Sequence, residues 1–283
     1  MALAGILTAM VTPFDADSRV DEAAFVTLLH HLLEHGSDGV VVAGTTGESP
    51  TLDDAEKCRL FELAVAESGD ASVIAGTGSN DTAHTVELTR RATALGVDAT
   101  LVVTPYYNKP NRDGLIRHYE EVGAATDKPI VLYNIPSRCV IDIPNDLLGE
   151  LARIDNVAAV KQANPDNLAL VDGLDLLAGN DDMLADVLDT GGTGGITVAS
   201  HLFGSEMRRM IDEPEARRGI HESLLDAFDA LAITANPIPV KAAVNMIGID
   251  VGGLRLPMVE ATVDERKVLH SMLEKHGLLS PAV

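Results

Sequence analysis

The chain has 283 residues, 46% of them hydrophobic, and a formal net charge of −22 from 43 acidic and 21 basic side chains. Such a charge disfavours nucleic acid and anionic membranes as partners, and the sequence holds no run of ~20 apolar residues that could span a bilayer. The length admits two ordinary domains or one α/β barrel, which typically needs ~250 residues.

The N-terminal stretch MALAGILTAMVTPF lacks the basic start of a secretory signal, and Gly5–Phe14 reads as a first strand, so a cytoplasmic protein is expected. Next comes DEAAFVTLLHHLLEHG, a helical pattern with acidic residues in its first turn and Gly36 as its stop. Further short apolar runs follow at Gly39–Gly44, Ser72–Gly78, Ala99–Pro105, Pro129–Pro136, Val157–Ala163, Leu174–Asn180 and Gly195–Ser200, with amphipathic stretches between them. Eight strands, each followed by a helix, predict a closed (β/α)8 TIM barrel. Near-continuous apolar strands fit a parallel sheet covered on both faces. Beyond the eighth unit, helices are predicted over roughly Glu215–Ile233, Pro239–Met246 and Val263–His276. No Gly/Ser-rich linker sets this tail apart. Residues 1–213 are therefore read as the barrel and residues 214–283 as a helical appendage packed on it.

The two cysteines, Cys58 and Cys139, have no CxxC neighbour and read as free thiols of a reducing compartment. The nine histidines include His30–His31 but no HExxH, so no metal site is expected.

One apolar run, Val157–Ala163, carries a lysine, Lys161, near its C-terminal end. An ammonium buried there is costly unless it is paired or loses its proton. In such barrels the active site lies at the C-terminal ends of the strands. The other lysines fall in helices, in loops or at the opposite face. Position alone leaves two readings open: a reactive lysine, or a barrel lysine paired with a carboxylate.

Other strand ends supply matching chemistry. The second ends in GTTGES, Gly44–Ser49, whose hydroxyls and N–H groups (Thr45, Thr46) suit a carboxylate. The fourth ends in TPYYNKP, with Tyr106 and Tyr107; the fifth in YNIPSR, with Tyr133 and Arg138. A desolvated lysine is partly neutral near pH 7 and attacks a ketone to form an imine, an electron sink for making or breaking carbon–carbon bonds. Tyrosine and threonine hydroxyls relay protons, and arginine grips a carboxylate. This chemistry needs no cofactor.

The motifs GTTGES, VTPYYNKP, LYNIPSR, AVKQA, GGTGGITV, NPIPVKAA and LRLPM, in this order over essentially the whole chain, resemble the dihydrodipicolinate synthase/N-acetylneuraminate lyase family of pyruvate-handling aldolases. Within it the likeness is to the branch that condenses pyruvate with L-aspartate 4-semialdehyde in the diaminopimelate/lysine pathway. The resemblance implies that Lys161 is the Schiff-base lysine and Tyr133 its proton relay. By the same likeness Thr45 links Tyr133 to Tyr107, which reaches into a neighbouring subunit's site. Thr46, in the turn begun by Gly44, matches the residue that holds the pyruvate carboxylate; Arg138 matches the one that binds the semialdehyde carboxylate. Ile196 matches the residue whose carbonyl faces the lysine. A homotetramer built as a dimer of tight dimers is implied as well.

Some positions depart from the family pattern. Cys139–Val140 stand where members often carry Thr-Gly, which removes easy access to positive φ. Gln162 stands where an acidic residue often follows the lysine; on a strand it should point to the other face. In lysine-inhibited members an interface site holds L-lysine. Here Tyr106 and Asn80 are kept, but His84 replaces a glutamate, Asp54 a histidine and Lys57 another His or Glu. Weak or absent inhibition is expected. The competing readings are a sugar-acid aldolase or N-acetylneuraminate lyase of the same family, a phosphate-binding barrel isomerase using GGTGG, and a non-catalytic scaffold. The lyases generally lack the Thr-Thr pair and the arginine, and the isomerase leaves Lys161, Tyr133 and Arg138 unexplained.

Overall fold

Eight short parallel strands close on themselves in chain order: β1 (Gly5–Ala9), β2 (Gly39–Val42), β3 (Ser72–Gly76), β4 (Ala99–Val103), β5 (Ile130–Asn134), β6 (Val157–Gln162), β7 (Asp175–Ala178) and β8 (Gly194–Thr197). The computed structural model describes residues 3–279. Closure rests on β1, which pairs β2 on one side and β8 on the other, with Gly5 opposite Gly194.

Alternate side chains point into and out of the barrel. Leu7, Val41, Ile74, Val131 and Leu177 fill its interior, while Ile6, Val40, Val73, Leu132 and Leu176 face the surrounding helices. Both sets are buried. For that reason the strands read as unbroken apolar runs and not as alternation.

The barrel's helices are α1 (Glu22–Glu34), α2 (Asp54–Glu67), α3 (Thr82–Ala94), α4 (Arg112–Gly123), α5 (Pro136–Cys139), α6 (Asn145–Leu151), α7 (Leu184–Thr190) and α8 (Ser200–Asp212). Asp21 caps α1 by accepting from the Ala24 N–H, and Asp53 and Glu56 form a reciprocal capping box on α2. Three more helices follow, α9 (Arg217–Leu231), α10 (Ile238–Met246) and α11 (Val263–Lys275), within a residue or two of the predicted spans. Their apolar faces, including Leu224, Phe228, Val244 and Leu269, join the same core as the barrel's outer face. Among the described residues no helix is long and apolar enough to cross a membrane.

Two local expectations change. The first strand ends at Ala9, not Phe14. Residues 10–14 leave the sheet but stay buried over the barrel mouth, where the Phe14 N–H donates to Val251 O and Pro13 has no N–H for a ladder. Burial beyond the end of the strand is what made them look like strand, with only an isolated bridge between Phe14 and Val20 there. The connection between β6 and β7 holds only a 3-10 turn, Pro165–Asn167, where a helix was expected. Its polar residues are committed to turn bonds: Asn164 accepts from the Asp166 N–H, and the Asn167 amide donates to the Asp142 carboxylate.

Candidate active site

On β6, Val160 packs outward and Ala159 inward, so Lys161 follows Ala159 into the barrel and Gln162 turns away. Outside the barrel the Gln162 side chain accepts from Asn134, as the expected change of face requires. Lys161 is level with Tyr133 on β5 and Leu177 on β7. This register sets its ammonium 4.3 Å from the centre of the Tyr133 ring.

Lys161 is 5% exposed. Burial pushes its pKa down to about 7; the Asp181 carboxylate works against that shift and the Arg138 charge adds to it. At neutral pH a substantial share of the side chain is therefore free amine, against roughly one part in 10³ for an ordinary lysine. Tyr133 is also buried, and burial raises its pKa well above the phenolic range; Arg138 opposes this most strongly, and a bond with the Thr45 hydroxyl opposes it too. Tyr133 thus stays protonated and able to donate. Asp181, just after β7, is held by the Val198 N–H at 2.8 Å. Burial raises its pKa, opposed by the Val198 and Ala199 amides and by Lys161.

A cavity of about 390 Å³ opens here, lined by Lys161, Tyr133, Thr45, Thr46, Arg138, Asp181 and Asn236, among others. Thr46 is buried, and its Oγ1 accepts from the Asn236 side-chain amide at 2.9 Å. Arg138, exposed on the single turn of α5, reaches Asn236 O at 3.4 Å. A second cavity of about 450 Å³ lies alongside and shares Thr45, Tyr133 and Arg138 as its wall. Its far side is formed by Asp54, Lys57, Asn80, His84 and Tyr106.

Five predicted residues, Lys161, Tyr133, Thr45, Thr46 and Arg138, therefore share one cavity. Gly44 lines the adjoining one. Ile196 lies fully buried in the same interior cluster as Tyr133, with its side chain off the cavity lining. Tyr107 is not brought to the cavity of its own chain; it is 87% exposed, at φ +72°.

Against known proteins, the chain matches the Dihydrodipicolinate synthetase family over residues 2–276. The chain belongs to that family. It is 44% identical to a 4-hydroxy-tetrahydrodipicolinate synthase of Moorella thermoacetica over 97% of this chain and 98% of the relative. A crystal structure of dihydrodipicolinate synthase from Bacillus anthracis superposes with a TM-score of 0.94 at 37% identity, covering 100% of both chains. The enzyme from Cyanidioschyzon merolae, solved with lysine bound, does so at 0.94 and 38% identity, over 98% of this chain and 99% of that one.

Family membership sharpens the meaning of Val140. Where members often carry glycine, this valine nonetheless sits at φ +68° as the cap of α5. A β-branched side chain in the left-handed region is strained, so the loop keeps a conformation its residue disfavours. The Asn134 and Asp142 side chains bond to each other at 2.8 Å, and the Ile143 N–H donates to Asn134; together they tie the loop to β5.

Sequence reasoning missed Asp181 and Asn236. The acid had a signal: it follows LLAGN at the same rim that placed the other site residues. Asn236 had only its place in the NPIPVKAA motif, since nothing local ties it to a turn 190 residues earlier.

Proposed function

We propose that this chain is a 4-hydroxy-tetrahydrodipicolinate synthase, condensing pyruvate with L-aspartate 4-semialdehyde through an imine on Lys161. The observation that carries the reading is a buried lysine, its pKa near 7, set against a protonated tyrosine at the C-terminal rim of a barrel. The neutral amine adds to the ketone carbon of pyruvate, and water leaves as Tyr133 supplies a proton. Loss of a methyl proton then gives an enamine. Its carbon attacks the aldehyde, whose oxygen takes up a proton to become the hydroxyl. The amino group of the semialdehyde displaces Lys161, closing the ring and freeing the amine.

Thr46 is the proposed pyruvate-carboxylate ligand. Because its oxygen already accepts from Asn236, its hydroxyl hydrogen is free to be donated. The backbone of the turn begun by Gly44 adds N–H groups, the Ile196 carbonyl faces the lysine, and Thr45 hands protons on from Tyr133. Arg138, exposed at the mouth, takes the carboxylate of the second substrate. The exposure of Tyr107 supports its completing a neighbour's site, within a homotetramer working in the cytoplasm. Residues 214–283 are read as an appendage to a catalytic barrel of residues 1–213.

Borohydride reduction in the presence of pyruvate, followed by peptide mass spectrometry, tests the covalent step. A pyruvyl adduct on the Lys161 peptide is expected; an adduct on another lysine, or turnover by Lys161→Ala, would overturn it. A coupled assay offering aspartate semialdehyde against sugar-acid aldehydes tests the second substrate, with the semialdehyde expected to be preferred.

A further inference from the structure

Among the described residues, Lys241 and Glu48 form the only ion pair with both side chains almost wholly buried, each 1% exposed. Neither lines the Lys161 cavity, and the chemistry above does not use them. Burying two charges is unfavourable unless their other donors and acceptors are satisfied as well. Here they are. Lys241, on α10, donates to Glu48 Oε1 at 2.8 Å, to Thr12 O at 2.8 Å and to Gly253 O at 2.5 Å. Those bonds use all of its N–H donors. Glu48 Oε2 accepts from the Arg255 N–H at 3.0 Å. The Arg255 guanidinium grips both oxygens of Glu56 and bonds to Thr51 O. Lys241 and Arg255 also flank the Phe14 ring, at 4.4 and 4.5 Å. Gly252, at φ +66°, lets this loop lie directly on the Phe14 carbonyl, where any Cβ would collide.

What the pair tethers is the turn after β2. Ala43 at φ +53° enters it and Glu48 at φ +57° leaves it. Non-glycine residues hold that conformation only where their surroundings impose it. Between them lie Thr45 and Thr46. Thr12 adds a bond from its hydroxyl to Gly47 O at 2.7 Å. If stability alone were at stake, a well-packed apolar pair would serve as well or better. This pair instead ends on the strained residue of the turn that carries the substrate hydroxyls.

We propose that Lys241 is a positioning residue: through Glu48 it holds the Gly44–Ser49 turn in the bend that presents Thr46 and the turn's N–H groups to the pyruvate carboxylate. The C-terminal helices thereby become part of the substrate-binding apparatus. This inference rests on the pyruvate reading above.

Full-length Glu48→Gln provides the first test. Glutamine keeps the shape, but its NH₂ must face either the Lys241 ammonium or the Arg255 N–H, donor against donor. The KM for pyruvate should rise about 10- to 100-fold, the scale of a small misplacement of a binding group. The KM for the semialdehyde should change less than about two-fold, because Arg138 lies on another loop. The Lys241→Met/Glu48→Gln double variant removes both charges. Its Tm should stay near wild type while its pyruvate KM remains raised. A stable double variant with the wild-type pyruvate KM would overturn the proposal, as would an equal loss in both substrates' kinetics. Should Glu48→Gln fail to fold, the double variant decides alone. Failure of the wild-type enzyme to form the pyruvyl adduct on Lys161 would instead overturn the site reading and would not bear on the tether.

Discussion

Lys161 contributes reactivity at the expense of stability, and the sign follows from its proton. Its pKa is about 7 when folded and ordinary, near 10.4, when unfolded. Between these values the unfolded chain holds a proton that the folded chain lacks, so this residue makes stability rise with pH through that window. Below pH 7 the full cost of a buried charge is present, on the order of a few kcal/mol. Lys161→Met should therefore raise Tm by several degrees at pH 6, with the gain shrinking as pH climbs from 7 towards 10; differential scanning fluorimetry across pH reads this directly. A gain that grows with pH would contradict the burial argument. Imine formation should in turn increase with pH up to about 7 and then level off. Tyr133 shows the complementary case, a buried phenol kept protonated. Tyr133→Phe should cost ~10²- to 10⁴-fold in kcat with little change in Tm, and near-normal turnover would remove it from the proton path.

Short elements hold these residues, and two of them carry testable strain or pairing. The one-turn helix α5 presents Arg138 and is capped by Val140 in the left-handed region. Val140→Gly relieves a conformation that costs an L residue roughly 1–2 kcal/mol, partly offset by the greater freedom of glycine in the unfolded chain. A net gain of about 1 kcal/mol in urea unfolding is expected, with the semialdehyde KM unchanged because the loop already adopts that bend; destabilisation would show that the valine side chain is wanted there. Between α2 and α3, the His84 ring meets the Asp54 carboxylate at 2.9 Å, and Arg91 lies 3.7 Å from it. The carboxylate that could have received the ammonium of L-lysine is thus already engaged. Lys57, whose pKa burial lowers, stands on the same wall. Removing a charge partner typically costs ~2–5 kcal/mol in a binding site. Initial rates at saturating pyruvate should stay flat as L-lysine is titrated into the millimolar range; strong cooperative inhibition would show that another group has taken over.

At the scale of the whole molecule, if the exposed Tyr107 completes a neighbour's site as proposed, a single chain is short of one site residue. On dilution, activity should fall in step with dissociation followed by analytical ultracentrifugation, and a fully active monomer would end the shared-site idea. Much of the architecture was legible because every barrel strand is buried on both faces, which leaves uninterrupted apolar runs and makes a lysine such as Lys161 conspicuous. The same signal overran the end of β1, since Met10, Val11 and Phe14 are buried beyond the end of that strand. Gln162 was readable from strand parity. Asp181 had only its place after LLAGN at the rim; its contacts depend on the packing of β7 against β6 and on the amide of Val198. Lys241 stayed hidden for a simpler reason: its partner is 193 residues away. That separation bears on the order of synthesis. Lys161 and Asp181, like every reacting group before them, emerge from the ribosome well ahead of Lys241 and Arg255, the residues that fasten Glu48. At elongation rates of about 5–20 residues per second, the seventy-odd residues from Asp181 to Arg255 take roughly 4–15 s to translate. For that interval a nascent chain carries Lys161 and Asp181 without the two residues that fasten Glu48, so on the tether proposal the Gly44–Ser49 turn is locked only late in synthesis.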